Sequence, residues 1–124
     1  MNINILIVED NADNRKLAGW ILDDHGFTHE SAASAEEALA LLDRGGFDLV
    51  LMDVSLPGID GAQATRRIRS RPETANLPVV AVTAHAIKGE ERSILESGVS
   101  ALVTKPIDES LLIDTIRSFF PVEV

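Results

Sequence analysis

Five residues with metal-binding or reactive side chains each follow a short apolar run. Glu9 and Asp10 follow ILIV, Asp53 follows LVLM, Thr83 follows VVAV and Lys105 follows ALVT. If these runs are strands of one parallel sheet, their carboxyl ends lie on the same side of it, and the five side chains meet there. Three carboxylates, a hydroxyl and an ammonium at one sheet edge could bind a divalent cation and accept a phosphoryl group.

The chemistry of such a set follows from its charges. Carboxylates that crowd together repel one another and tend to hold protons. A divalent cation relieves that repulsion, and oxygen ligands without His or Cys favour a hard ion such as Mg²⁺. A carboxylate can also attack a phosphoryl group and form an acyl phosphate. The metal ion, the Lys105 ammonium and the Thr83 hydroxyl could neutralise the phosphoryl oxygens during transfer.

Five short runs predict the strands that position these residues. The first run is almost continuously aliphatic, which indicates that its strand is buried on both faces, as in a parallel sheet covered by helices. The second run contains the polar residues Thr28, His29 and Glu30, which predict an edge strand. The predicted strands cover residues 3–8, 27–32, 49–52, 79–82 and 101–103.

Capping residues mark the helices between the strands. Asn11 is a candidate N-cap of the first helix, and Ser34 with Glu37 has the spacing of a capping box. Asp60 and Asp108 are candidate N-caps of two later helices. The helices are predicted at residues 12–25, 34–44, 61–69, 88–97 and from 108 onward. Five strand–helix repeats with right-handed crossovers predict an α/β fold with a doubly wound parallel sheet.

Two further assignments concern side chains outside the strand ends. Trp20 flanks the apolar stripe of the first helix, which contains Leu17 and Ile21. We predict that Trp20 packs at the edge of the core; the alternative is an exposed contact for a partner helix. Four arginines with helical spacing are predicted to form a solvated helix face, with a phosphate-binding patch as the alternative: Arg66, Arg67, Arg69 and Arg71.

The composition excludes several classes of protein. A length of 124 residues suits one domain. The net charge of −9 argues against direct nucleic-acid binding. No apolar stretch approaches the roughly 20 residues needed to span a bilayer, and the N-terminus lacks the features of a secretory signal. We therefore expect no membrane contact and a cytoplasmic location. Without cysteine, disulfides and thiolate zinc sites are excluded.

The combined pattern resembles the receiver domain of bacterial two-component response regulators, of the chemotaxis-regulator-like, single-domain kind. The resemblance covers essentially the whole chain and rests on VEDN, LMDVSLPGIDG, VTA and TKP after four predicted strands. It implies a flavodoxin-like five-stranded sheet in the order 2-1-3-4-5. It also implies a phosphorylation-controlled switch spanning residues 1–124 without an output domain. The implied partners are a histidine kinase or histidine phosphotransfer protein and a downstream protein target, with the chain a monomer or weak dimer.

The resemblance also implies a role for each acidic residue by its position in the motifs. Asp53 resembles the phosphoacceptor, and Asp10 resembles the direct Mg²⁺ ligand. Glu9 resembles the second acidic residue, which usually acts through a metal-bound water. Asp53 itself and the backbone carbonyl of Ser55 would complete the metal site.

The switch residues implied by the resemblance lie on the last two strands. Thr83 resembles the residue whose hydroxyl moves toward the phosphate, and Lys105 resembles the residue that forms a salt bridge with the phosphate. The resemblance also implies a cis peptide bond between Lys105 and Pro106, a conformation that only X–Pro bonds adopt at modest cost. Receivers commonly carry an aromatic residue or His where this chain has Leu102, so the usual coupled movement of hydroxyl and ring is not expected. Ser55 lies two residues beyond Asp53, and His85 lies two residues beyond Thr83. The resemblance implies that these two residues tune the lifetime of the phosphoryl group; the alternative is that they are ordinary loop residues.

Two other functions stay open. A haloacid-dehalogenase-like phosphohydrolase also uses Asp, Thr or Ser, Lys and Mg²⁺. Its DxD motif, however, follows the first strand, whereas Asp53 follows the third and is succeeded by Val54 and Ser55. The second alternative is an interaction scaffold that works without phosphorylation. The complete acidic set argues against a scaffold, but Leu102 leaves it open.

Overall fold

The centre of the protein is a parallel sheet of five strands: β1 (Asn4–Val8), β2 (Thr28–Ala32), β3 (Leu49–Asp53), β4 (Val79–Thr83) and β5 (Ala101–Thr104). Their order in the sheet is β2-β1-β3-β4-β5. The computed structural model describes residues 3–54, 60–83, 92 and 94–120. The doubly wound fold and the strand order predicted from the sequence are confirmed, and β2 lies at an edge as expected.

Helices connect the strands and cover both faces of the sheet. Residues 92 and 94–96 are helical, and the rest of the helix predicted at 88–97 lies largely outside the described residues. No helix in the described part of the chain is long and apolar enough to cross a bilayer. The helices with defined bounds are α1 (Ala12–Asp24), α2 (Ala35–Arg44), α3 (Gly61–Arg69), a 3-10 turn (Pro72–Thr74) and the last helix (Glu109–Arg117).

The core consists of two apolar layers, one on each face of the sheet. Successive strand residues point to opposite faces, so β1 supplies Ile5 and Ile7 to one layer and Leu6 and Val8 to the other. The first layer packs against α1 and the last helix, and the second against α2 and α3. Burial on both faces explains the aliphatic runs of β1, β3 and β4. The edge strand β5 is buried only at Val103.

The predicted N-caps form as expected, with one difference at α2. The Ser34 hydroxyl accepts a hydrogen bond from the Glu37 amide at 3.2 Å. The Glu37 carboxylate, however, accepts from the Ala33 amide at 3.2 Å, one residue before the cap, so the capping box is displaced by one residue. The confirmed N-caps are Asn11, Ser34, Asp60 and Asp108.

The predicted core-edge position of Trp20 is wrong. Its side chain is 64% exposed, and Leu17 is 44% exposed. Ala18, Ile21 and Leu22 are the buried apolar residues of α1. At 3.6 residues per turn, a side chain two positions from Ala18 and from Leu22 points to the opposite face of the helix. The exposed position considered as the alternative for Trp20 is therefore the observed one.

The prediction of a solvated arginine face holds for Arg66 and Arg67, which are exposed, but is wrong for Arg69. Its Nη1 donates to the carbonyls of Thr74 at 3.2 Å and Leu77 at 2.6 Å, and its Nε donates to Gly98 at 2.9 Å. Burial lowers the pKa of Arg69. This guanidinium joins the end of α3 to the segments that lead into β4 and β5. Arg71, beyond α3, forms an ion pair with Asp43.

Candidate functional site

The strand register brings the predicted site residues to one edge of the sheet. Asp53 ends β3 opposite Val82, and Thr83 ends β4 one residue further on. Lys105 follows β5 and donates its backbone amide to the Thr83 carbonyl at 2.7 Å. Glu9 follows β1, which pairs with β3. The strand order reverses between β1 and β3, which is where doubly wound sheets form their binding crevice.

Three carboxylates converge in this crevice. One oxygen each from Glu9, Asp10 and Asp53 lies within 4.8 Å of the others. Glu9 and Asp53 are buried, whereas Asp10 is exposed. Burial, together with hydrogen bonding to Asp53, raises the pKa of Glu9 from 4.5 to about 7, although the hydrogen bond from Lys105 acts in the opposite direction. Carboxylates this close can share a divalent cation, which would relieve their repulsion.

Lys105 supplies the positive charge of the site. Its Nζ lies 3.0 Å from Oε1 of Glu9 and 3.4 Å from Oδ2 of Asp53. Burial by itself lowers the pKa of Lys105, but the hydrogen bond to Glu9 and the charge of Asp53 outweigh it and raise that pKa. The side chain is therefore an ammonium at neutral pH. The Lys105–Pro106 bond is cis, as predicted.

The remaining predicted residues differ in what the structure describes of them. Thr83 is 4% exposed at the end of β4, beside the backbone of Lys105. Leu102 is part of β5 and is partly exposed. Ser55 and His85 lie outside the described residues, so their roles stay predictions.

Two residues that the sequence reasoning did not identify support the site. Nη1 of Arg15 donates to the backbone carbonyls of Glu9 at 2.8 Å and Asp10 at 2.9 Å. At Gly61, a Cβ atom would lie 2.7 Å from the carbonyl oxygen of Asp53, so a glycine is needed where α3 begins against the end of β3. The pair Asp60–Gly61 after a loop was the available signal for Gly61, while nothing local marked Arg15.

A cavity of about 390 Å³ opens beside the charged residues. Glu9, Asp53 and Lys105 lie along its wall, and most of its other lining residues are apolar, among them the exposed Leu17 of α1 and Ile107 beyond β5. The site is thus accessible from the side on which α1 faces the segment after β5.

Comparison with known proteins assigns this arrangement to a family. The family model described as "Response regulator receiver domain" matches residues 5–117. The polar-differentiation response regulator DivK of Brucella ovis is 38% identical over 119 residues, which cover 96% of this chain and 97% of DivK. The sensor protein GacS of Pseudomonas syringae is 42% identical over 115 residues, which cover 90% of this chain but only 13% of GacS.

Solved structures agree with this assignment. One similar structure is the receiver domain of the sensor histidine kinase PA1611 from Pseudomonas aeruginosa, which has a magnesium ion coordinated in its active-site cleft. Its TM-score with this chain is 0.90 at 30% sequence identity, and the match covers 96% of this chain and 98% of that one. A putative response regulator from Chloroflexus aurantiacus gives a TM-score of 0.92 at 29% identity, with the same coverage. The chain therefore belongs to the response regulator receiver domain family, which serves phosphorylation-dependent two-component signalling.

Proposed function

We propose that Asp53 accepts a phosphoryl group from the phosphohistidine of a histidine kinase or histidine phosphotransfer protein. The observation that carries the proposal is the placement of Asp53, buried at the end of β3, with the Lys105 ammonium 3.4 Å away and two more carboxylates within 4.8 Å. A buried carboxylate costs stability unless a partner compensates it, so this clustering favours a functional role. The proposed downstream partner is a protein target, and the proposed location is the cytoplasm.

The proposed metal ion is Mg²⁺, held by Asp10 directly, by Glu9 through water, by Asp53 and by the Ser55 carbonyl. The donor set fits, because it consists of oxygens alone and because three crowded carboxylates need a compensating cation. The magnesium reported for the PA1611 receiver domain supports the same choice. Bound Mg²⁺ would neutralise negative charge on the phosphoryl oxygens.

In the proposed transfer, a carboxylate oxygen of Asp53 attacks the phosphorus in line with the leaving nitrogen. A P–O bond forms while the P–N bond breaks, and the electron pair of that bond leaves on the imidazole nitrogen. The donor histidine is then neutral, with its proton on the other ring nitrogen. Lys105, already beside Asp53, would pair with the new phosphoryl group, and the Thr83 hydroxyl would donate to one of its oxygens.

Substitution of the acceptor tests the proposal. Asp53→Asn keeps the size of the side chain but removes the nucleophilic carboxylate, so labelling by a ³²P-phosphorylated histidine kinase should be lost. Asp24→Asn, a change of an exposed carboxylate on α1, should leave labelling at the wild-type level. Label that persists on Asp53→Asn at the same stoichiometry would overturn the assignment.

The same preparations separate the two alternatives. Turnover of a phosphomonoester with Mg²⁺ would indicate a phosphohydrolase, and we expect none. A scaffold that needs no phosphorylation should not respond to beryllofluoride, a mimic of the phosphoryl group. Trp20 is a suitable reporter, because it is exposed and lines a cleft together with Arg15, whose guanidinium contacts the backbone of Glu9 and Asp10. We expect its fluorescence to change with beryllofluoride only when Mg²⁺ is present.

A further inference from the structure

The loop between β1 and α1 carries two of the three carboxylates and is held by one side chain from α1. Arg15 lies one turn into that helix, and helical side chains lean back toward the N-terminus. Its Nη1 donates to the carbonyl of Glu9 at 2.8 Å and to the carbonyl of Asp10 at 2.9 Å. Bonds of this kind, from a charged donor, are stronger than neutral ones.

The two carbonyls belong to the peptide groups on either side of the Asp10 Cα atom. When both point at one nitrogen, the backbone torsions of Asp10 have little freedom left. A second restraint acts beside it, because the Asn11 amide donates to Oε2 of Glu9 at 3.3 Å. The guanidinium thus sets the direction in which the Asp10 side chain leaves the backbone.

Asp10 needs such a restraint more than the other two carboxylates. Glu9 and Asp53 are 6% and 5% exposed, so the packed ends of β1 and β3 hold them in place. Asp10 is exposed and lies in a loop, where packing does not fix it. We propose that Arg15 is a positioning residue for the metal site, which fixes the Asp10 carboxylate beside Glu9 and Asp53 through the two backbone carbonyls. This inference rests on the proposed function in its use of Mg²⁺.

The charge of Arg15 makes the proposal testable by the sign of the change in Mg²⁺ affinity when that charge is removed. A guanidinium near a cation site repels the cation, so if charge were its only effect, neutralising Arg15 would tighten Mg²⁺ binding. If Arg15 acts by positioning, neutralising it loosens the loop and weakens Mg²⁺ binding. Loss of support outside the direct ligands commonly weakens metal affinity by about tenfold or more.

The experiment compares Arg15→Met and Arg15→Lys with the wild type, and uses Arg44→Met as the matched control. Arg44 is an exposed arginine that pairs with Glu30, away from the site. The Mg²⁺ dissociation constant is measured by calorimetry without a phosphodonor. Hydrogen exchange of the Asn11 backbone N–H with solvent is measured by NMR in metal-free protein, so that this readout is independent of metal binding and phosphorylation.

We expect Arg15→Met to weaken Mg²⁺ binding about tenfold and to accelerate exchange of the Asn11 amide. Arg15→Lys should recover part of both effects, since it keeps charge and donors but not the planar fork, and Arg44→Met should match the wild type. Unchanged or tighter Mg²⁺ binding in Arg15→Met, with unchanged Asn11 exchange, would overturn the proposal. If Arg15→Met does not fold, Arg15→Lys and Arg15→Gln decide by the same two readouts. If the wild type itself binds no Mg²⁺, the proposed function fails, and Asn11 exchange alone decides the role of Arg15.

Discussion

Mg²⁺ binding should displace a proton from Glu9, which makes the affinity depend on pH. Burial and hydrogen bonding to Asp53 raise the pKa of Glu9 to about 7 in the metal-free protein. A metal site requires its carboxylates ionised, so binding at a pH below this value must first remove the proton. Lys105, whose pKa is raised, stays charged over the same range and does not contribute to the change.

The magnitude follows from the position of this pKa. At about pH 6, one unit below it, roughly nine in ten molecules carry the proton on Glu9, and at about pH 8 roughly one in ten does. The apparent dissociation constant for Mg²⁺ should therefore fall about tenfold between these two conditions. About one proton should be released per Mg²⁺ at the lower pH and almost none at the higher.

Calorimetry in two buffers with different ionisation enthalpies measures both quantities, since the difference in heat gives the number of protons released. Glu9→Gln removes the titrating group, so its affinity should be nearly independent of pH over this range. Glu73→Gln, an exposed change outside the site, should keep the wild-type slope. A wild-type dissociation constant that stays flat across the range, with no proton released, would refute the reasoning.

The same pKa determines how metal-free stability changes with pH. Because the folded protein holds the Glu9 proton up to about pH 7 and the unfolded chain releases it near 4.5, the folded state binds more protons between these values. The stabilisation is complete below 4.5 and is lost as the pH rises through 7. The loss should be on the order of 3 kcal/mol, and Glu9→Gln should abolish it in urea unfolding without metal.

Two substitutions test structural contacts, one at Gly61 beside the site and one at Arg69, which contacts the segments that lead into β4 and β5. Gly61→Ala places a Cβ against the Asp53 carbonyl. We therefore expect the free energy of unfolding in urea to fall by about 1–3 kcal/mol and the phosphoryl labelling of Asp53 to weaken. Wild-type values for both would contradict the close approach of Gly61 to Asp53. Arg69→Met leaves the carbonyls of Leu77 and Gly98 without their charged donor and should lower the free energy of unfolding by about 2–3 kcal/mol. The neighbouring Arg67→Met, on the exposed face, should change it by under about 0.5 kcal/mol, and equal effects of the two variants would refute the assigned role of Arg69.

Local sequence signals predicted the elements well where the relevant interactions are themselves local. The N-caps at Asn11, Asp60 and Asp108 depend on a side chain and an amide three residues apart, and all three form. The prediction for Arg69 failed because it required knowledge of distant chain segments. Arg69 reads as one of four surface arginines, and only the position of Leu77 and Gly98 beside it shows that it is a partly buried donor.

The site shows the same division. The sequence by itself determined which residue types stand at the strand ends, because apolar runs followed by Glu9, Asp53, Thr83 or Lys105 can be read without any contact. The resemblance then gave each of them a role. Only the tertiary structure decided that Lys105 lies between Glu9 and Asp53, at 3.0 and 3.4 Å. It alone also decided that burial raises the pKa of Glu9 to about 7. The physical reason is that these properties depend on distances and burial set by the pairing of β1, β3, β4 and β5, whose residues are far apart in the chain.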